Sequence, residues 1–100
     1  MANLVRVFHA ETHPGKEDEF EEFFLRQALP MVRGYGGLIS VVVGLPQEET
    51  PSSFLMISTW SSIASLSEFA GENWREAVID RREAHLLSKV SVAHYWEVEG

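Results

Sequence analysis

The order of strand-like and helix-like patterns constrains this chain more than any other feature of its sequence. Leu4 to Thr12 alternates between two faces, which predicts a strand. One face carries Val5, Val7 and His9, and the other carries Leu4, Arg6, Phe8 and Ala10. The residues His13-Pro14-Gly15 then break the alternation, so we expect the strand to end there.

A helical pattern follows from Lys16. Apolar residues recur on one side at helical spacing, namely Phe20, Phe23, Phe24 and Ala28. Pro30 predicts a kink or an early end, and the Gly34–Gly37 segment predicts the terminus of this helix.

The middle of the chain predicts an antiparallel hairpin. Leu38–Leu45 and Phe54–Trp60 are apolar runs typical of strands, and Pro46–Ser53 between them carries turn residues and acidic charge. Ser61 or Ser62 is expected to cap a second helix that buries Ile63, Leu66 and Phe69.

The last third of the chain predicts further helix and a final strand. Gly71 and Asn73 are expected to interrupt the second helix. A second helical stretch then places near one face Trp74, Ala77, Val78, Arg81 and His85. Val90 to Val98 alternates and predicts the last strand.

The resulting order, βαββαβ, is typical of the ferredoxin-like α+β fold, a four-stranded antiparallel sheet with the helices on one face. One hundred residues correspond to one domain, so residues 1–100 are expected to form a single unit. The second strand is apolar on both faces, with Leu38 and Val42 one way and Ile39, Val41 and Val43 the other. We therefore predict a homodimer in which a second copy covers the open sheet face.

Composition excludes several classes of function. The chain has no cysteine, which rules out thiolate nucleophiles, disulfides and cysteine-ligated metals and is typical of the cytoplasm. The net charge is −7 and the basic residues form no run, so neither nucleic acid nor an anionic membrane is an expected partner. No signal peptide or membrane span is expected either, because the apolar runs are short.

Several short motifs resemble those of one known family. They are Pro14-Gly15-Lys16-Glu17 at the start of the first helix, Gly36-Gly37-Leu38 at the entry to the second strand, Ser58-Thr59-Trp60-Ser61-Ser62 at the exit from the third, and then Trp74, His85 and His94-Tyr95. Together they resemble the antibiotic-biosynthesis monooxygenase family of dimeric α/β barrels, over about residues 4 to 98.

The resemblance implies a cofactor-independent monooxygenase. A small reduced aromatic compound, such as a quinol or an anthrone, would bind between helices and sheet and react with O2 without metal or flavin. An electron-rich anion, formed when the substrate loses a proton, can pass an electron to oxygen unaided. The protein would exclude water, take the proton and stabilise the anion. Two alternatives stay open, a small-molecule isomerase and a non-catalytic dimeric ligand-binding module.

Two residues are predicted to be catalytic. A histidine side chain can act as a general base, and His85 is predicted to do so here, although it is equally suited to cap a helix or to lie in an interface. Arg81 would stabilise an anion if it faces inward, whereas the alternative is a solvated face with Asp80, Glu76 and Glu83 as partners. Arg82 is adjacent, so only one of the two arginines can face inward.

Five residues are predicted to bind substrate. Trp60 either walls the pocket or fills the core at the sheet edge. Tyr35 either gates the pocket or packs on a helix end, and His94 lies on a strand face with Val92 and Trp96. Phe69 and Trp74 complete the set. The histidines lack the spacing of a metal site, so no metal is predicted.

Overall fold

The chain is built on a four-stranded antiparallel sheet, described for residues 2–99 by a computed structural model. The strands are β1 (Leu4–Thr12), β2 (Leu38–Gly44), β3 (Ser53–Trp60) and β4 (Leu87–Trp96). Their order in the sheet is β2-β3-β1-β4, and each neighbouring pair is antiparallel. This order confirms the ferredoxin-like fold predicted from the sequence.

The first helical region changes its geometry before Pro30 but does not end there, so of the two predicted alternatives the early end is wrong. It consists of α1 (Glu17–Phe23), a π-helical turn (Phe24–Ala28) and α2 (Leu29–Arg33). The Leu29 N–H donates to the Phe24 carbonyl five residues back, which widens the helix just before Pro30. Because the wider turn accommodates the proline, the helix continues to Arg33 and ends at Gly34, inside the predicted terminator.

The second helical region is shorter than predicted. Ser62 caps α3 (Ile63–Ala70), as the sequence indicated. Residues 71–80 form turns and irregular backbone, however, and only the four residues of α4 (Arg81–Ala84) return to helix. The predicted helical face from Trp74 to His85 is therefore wrong. Arg6 binds the carbonyls of Trp74 and Glu76, which would otherwise accept helical hydrogen bonds.

The helices cover one face of the sheet. On that face Leu4, Ala10, Phe54, Met56 and Trp60 are buried. They belong to one core cluster with the helical residues Phe20, Phe24, Leu29, Val32 and Leu66. Burial of this continuous apolar layer is the main favourable term in the stability of a domain of this size.

The opposite face of the sheet stays open. Val42 is 61% exposed and Tyr95 is 59% exposed, and neither has a helix above it. The register between β2 and β3 shifts between Leu38 and Ser40. Because of this shift Leu38 lies on the core side of the sheet with Val41 and Val43. The prediction that Leu38 and Val42 share one face is therefore wrong.

Strand β4 also differs in its limits from the prediction. It begins at Leu87 instead of Val90 and ends at Trp96 instead of Val98. Its pairing with β1 sets Arg6 directly opposite His94, a neighbourhood that the sequence alone did not define. Within residues 2–99, no helix is long and apolar enough to cross a membrane.

Gly37 is required where β2 enters the sheet. A Cβ at this position would overlap the Cβ and Oγ of Ser65 in α3, whereas a Cβ at Gly36 would meet nothing. We expect Gly37→Ala to lower the free energy of unfolding by about 1–3 kcal/mol, because the overlap forces α3 away from the sheet. Gly36→Ala is the matched control and should change it by less than about 0.5 kcal/mol. Equal urea midpoints for the two variants would contradict the close approach.

Candidate functional site

One cavity of about 300 Å³ lies between the sheet and the helices. The sheet supplies its floor through β1 and β3, and the π-helical turn with α2 supplies one wall. The opposite side is formed by Phe69 of α3, the irregular segment 71–80 and α4. The lining residues are Arg6, Phe8, Phe24, Ala28, Met31, Val32, Met56, Ser58, Phe69, Val78, Ile79, Asp80 and Glu83. This mostly apolar lining with a few polar groups is typical of a small-molecule site.

Arg6 is the cation of this cavity, and it is 3% exposed. Its Nη1 donates to the Trp74 carbonyl at 2.6 Å and its Nη2 donates to the Glu76 carbonyl at 3.0 Å. Burial lowers its pKa to about 10, so it is still charged at neutral pH. The guanidinium therefore ties segment 71–80 to β1 and places a positive charge at the cavity.

His94 completes the surroundings of Arg6. Its Nε2 lies 3.0 Å from Arg6 Nη1, and because a guanidinium only donates, Nε2 is the acceptor of this hydrogen bond. Burial, and then the charges of Arg6 and Arg75, lower the pKa of His94. The imidazole is thus held neutral with its proton on Nδ1. The Trp74 ring meets it edge-on, with centroids 4.9 Å apart.

Glu83 is the buried acid of the cavity, with 5% of its surface exposed. Burial is the main cause that raises its pKa to about 7, while the Asp80 N–H, donating at 3.4 Å, works in the opposite direction. A carboxyl group with this pKa exchanges its proton near neutral pH, as a general acid or base must.

Asp80 lines the same cavity in the opposite protonation state. Its carboxylate accepts hydrogen bonds from Arg82 Nε and Nη2, both at 3.0 Å, and from the Arg82 backbone N–H. These bonds lower the pKa of Asp80 to about 2. Its negative charge also helps to raise the pKa of Glu83. One carboxyl group is therefore fixed as the anion, and its neighbour is able to titrate.

Phe69 is the predicted substrate-binding residue that lines the cavity. Trp60 is completely buried behind it and stacks on its ring at 5.6 Å with an interplanar angle of 10°. Tyr35 meets both rings edge-on. Trp60 and Tyr35 thus hold Phe69 in place, while Trp74 and His94 contact Arg6.

The structure does not bring His85 and Arg81 to the cavity. His85 is exposed at the end of α4, where its Nε2 lies 3.7 Å from Glu19 Oε2. Arg81 is exposed on the same short helix. Their catalytic roles stay predictions. Among residues 2–99 no group of three or more histidine, aspartate or glutamate side chains is placed to hold a metal ion.

The sequence contained signals for three polar residues of the cavity that were not among the predicted site residues. Arg6 is a lone charge on the otherwise apolar face formed by Leu4, Phe8 and Ala10. Asp80 and Glu83 stand three residues apart, which is the spacing of a capping box, and the structure forms that box at the start of α4. The lone charge indicated a buried cation, and the box placed the start of the helix at residue 81.

The raised pKa of Glu83 predicts a specific dependence of stability on pH. The folded state holds the proton up to about pH 7, whereas the unfolded state releases it near the ordinary value of 4.5. The stability contribution is therefore full below about pH 4.5 and is lost as pH rises to about 7. Glu83→Gln removes this titration. Between pH 5 and pH 8 its free energy of unfolding should therefore rise by roughly 2–3 kcal/mol relative to that of wild type, at about 1.4 kcal/mol per unit of pKa shift.

Urea unfolding of both proteins at a series of pH values measures this difference. Glu72→Gln, which changes an exposed carboxyl group, is the control and should follow wild type throughout. A constant difference between Glu83→Gln and wild type would mean that Glu83 titrates normally.

Comparison with solved structures shows the same fold in proteins of low sequence identity. A protein from Shewanella oneidensis aligns with a TM-score of 0.79 and 16% identity, covering 96% of this chain and 91% of that one. A protein from Pseudomonas aeruginosa aligns with a TM-score of 0.78 and 18% identity, covering 99% of this chain and 97% of that one. A Bordetella bronchiseptica protein, provisionally described as an antibiotic biosynthesis monooxygenase, aligns with a TM-score of 0.70 and 17% identity. The alignment covers 99% of this chain and 100% of that one.

Sequence comparisons assign the family. A search of curated protein sequences found no match. The sequence profile of the family described as Antibiotic biosynthesis monooxygenase matches residues 3–80, which include every element from β1 to α3 and the whole of segment 71–80. The chain belongs to the antibiotic biosynthesis monooxygenase family.

Proposed function

We propose that the protein is a monooxygenase that oxidises a reduced aromatic compound with O2 in the cavity beneath α3 and α4, without a metal or an organic cofactor. The observation that carries this proposal is the joint placement of Arg6 and Glu83. Both side chains are at least nine-tenths buried, and both line one apolar cavity. A cation and a titrating carboxyl group are the two groups that this chemistry needs.

The reaction balances for a quinol substrate. Glu83 as carboxylate takes the hydroxyl proton, and the resulting anion passes one electron to O2. The two radicals combine into a carbon-bound peroxide. Loss of water from the peroxide leaves a hydroxyquinone, so one oxygen atom enters the product and the other becomes water. The substrate supplies all four electrons, as in naphthalene-1,4-diol + O2 → 2-hydroxy-1,4-naphthoquinone + H2O.

Three features of the cavity have a role in this reaction. Glu83 can take a proton because its pKa lies near neutral pH. Arg6 supplies the positive charge that stabilises the substrate anion in a site of low dielectric. The aromatic rings of Phe8, Phe24 and Phe69 offer surfaces on which a flat ring can lie and exclude water. His85 and Arg81, the residues first predicted for these roles, are not required by this arrangement.

Oxygen uptake with naphthalene-1,4-diol in buffer containing a chelator tests the proposal. Wild type should accelerate uptake over autoxidation, with a rate that rises through about pH 7 as Glu83 ionises. Glu83→Gln should lower the rate by roughly 10²–10⁴-fold and abolish that rise, because an amide cannot take the proton.

His85→Ala is the matched control, since it removes the other candidate base. Because His85 lies outside the cavity, this variant should keep the wild-type rate. A large loss in His85→Ala with none in Glu83→Gln would return the catalytic role to His85. Uptake equal to autoxidation across a panel of quinols and anthrones would refute the oxygenase.

The open sheet face supports a homodimer. Ile39, Val42 and Tyr95 are each more than half exposed, although such side chains favour burial. We expect sedimentation at twice the monomer mass at micromolar concentration, and dissociation of the dimer in Val42→Asp, because a carboxylate cannot be buried there unpaired. Glu68→Gln, on the exposed side of α3, should leave the mass unchanged. A stable wild-type monomer would contradict the dimer.

An isomerase is the second candidate, because the same carboxyl group can take a proton from one carbon and return it to another. The pKa of Glu83 near 7 suits both directions of transfer. Dependence on oxygen separates the two functions, since an isomerase consumes none.

A further inference from the structure

The charge of Arg6 has no counter-ion among residues 2–99. No carboxylate oxygen of residues 2–99 lies within 4.0 Å of its guanidinium; the ion pairs there involve other cations. Burial alone accounts for its lowered pKa, without a contribution from a neighbouring charge. A buried charge is normally paired, because removing an ion from water costs several kcal/mol. A cavity directly beside the unpaired cation is where a counter-ion can bind.

Arg6 also has N–H groups that make no hydrogen bond with residues 2–99. A guanidinium carries five N–H groups. Arg6 uses three of them, on the carbonyls of Trp74 and Glu76 and on His94 Nε2. The remaining two have no acceptor among the residues that the structure describes. These fixed partners hold the guanidinium in place, so its orientation does not depend on the ligand.

Ser58 adds a further donor at the same point of the cavity. It stands directly opposite Arg6 in the pairing of β1 and β3, on the same face of the sheet. Its Oγ accepts the Trp60 indole N–H at 3.0 Å, so its own hydroxyl hydrogen is available. Within residues 2–99 no acceptor takes that hydrogen. Arg6 and Ser58 therefore present a cluster of donors to the cavity floor.

We propose that the cavity binds its aromatic ligand as a monoanion, with the anionic oxygen held by the free N–H groups of Arg6 and the hydroxyl of Ser58. One negative charge balances the single cation. A second would have no cation to balance it, because the nearby guanidinium of Arg82 is already bound by the carboxylate of Asp80. The apolar remainder of the lining accepts the rings.

This inference rests on the proposed function, which identifies the cavity as the substrate site. It adds the charge of the ligand that the cavity binds. A quinol becomes such an anion when Glu83 takes its proton. The hydroxyquinone product is one as well, because its hydroxyl is conjugated to a carbonyl, which makes it acidic as in a carboxylic acid. Substrate anion and product thus share the same charge, and both match the donors on β1 and β3.

Calorimetric binding of two ring-matched ligands at pH 6 tests the inference. 2-Hydroxy-1,4-naphthoquinone is an anion at this pH, and 2-methoxy-1,4-naphthoquinone is neutral. Glu83 holds its proton at pH 6 and so does not repel the anion. Wild type should bind the anion roughly tenfold or more tightly than the neutral ligand, as expected for charge-assisted hydrogen bonds in a buried site.

Variants locate the origin of this preference. Arg6→Gln should bring the ratio of the two affinities to about one, and Arg6→Lys should keep part of it, because the charge stays while the fork of donors is lost. Arg26→Gln and Arg75→Gln remove exposed cations outside the cavity lining and should keep the full ratio. If Arg6→Gln does not fold, the ratio of the affinities for the anionic and the neutral ligand in wild type and in Arg6→Lys still tests the inference.

The outcomes separate this inference from the proposed function. Equal affinities in wild type, or a preference that survives in Arg6→Gln, would overturn the anion site even if oxygen uptake is observed. A preference that follows Arg6 in a protein without oxygen uptake would keep the anion site and refute the oxygenase.

Discussion

The hydrogen bonds from Arg6 to the carbonyls of Trp74 and Glu76 are the interaction on which the cavity depends. They connect the floor of the cavity in β1 with the irregular segment that closes it. They satisfy two carbonyls of segment 71–80 and, together with the contact between the Trp74 and His94 rings, anchor this segment to the sheet. Because His94 accepts a further Arg6 N–H, strand β4 shares in the same network. A single buried side chain thus holds the closing segment in place and supplies the positive charge of the cavity.

Two carboxyl groups on the other side of the cavity show how environment sets protonation. Asp80 is bound by Arg82 and keeps its charge, while Glu83 is buried beside it and has a pKa of about 7. Both effects depend on the start of α4, where the two residues also cap the helix. The four-residue helix is too short to be stable alone, and its capping box is what places Glu83 in the cavity lining. Helix capping and the protonation state of the cavity therefore depend on the same two side chains.

The wall opposite α4 owes its form to a proline. Pro30 cannot donate a backbone hydrogen bond, and the π-helical turn before it accommodates this loss without ending the helix. Phe24 and Ala28 of that turn line the cavity, as do Met31 and Val32 of α2. A helix that had ended at Pro30 would have left this wall incomplete. Turns of this kind are frequent at functional sites, and here the cause is visible in the sequence.

The sequence by itself determined the order of strands and helices, because alternation and helical spacing are local properties that each segment shows without its neighbours. It also indicated a serine cap at residue 61 or 62, whereas the close approach of Ser65 that requires glycine at position 37 is a contact between distant segments. Only the tertiary structure decided that Arg6 meets Trp74, Glu76 and His94, since these residues are distant in the chain and come together through the pairing of β1 with β4. The same network replaced the helix predicted around Trp74, and burial, a property of the folded chain, raised the pKa of Glu83. Local patterns thus define the elements, whereas the charges and protonation states of the site arise from contacts between distant segments.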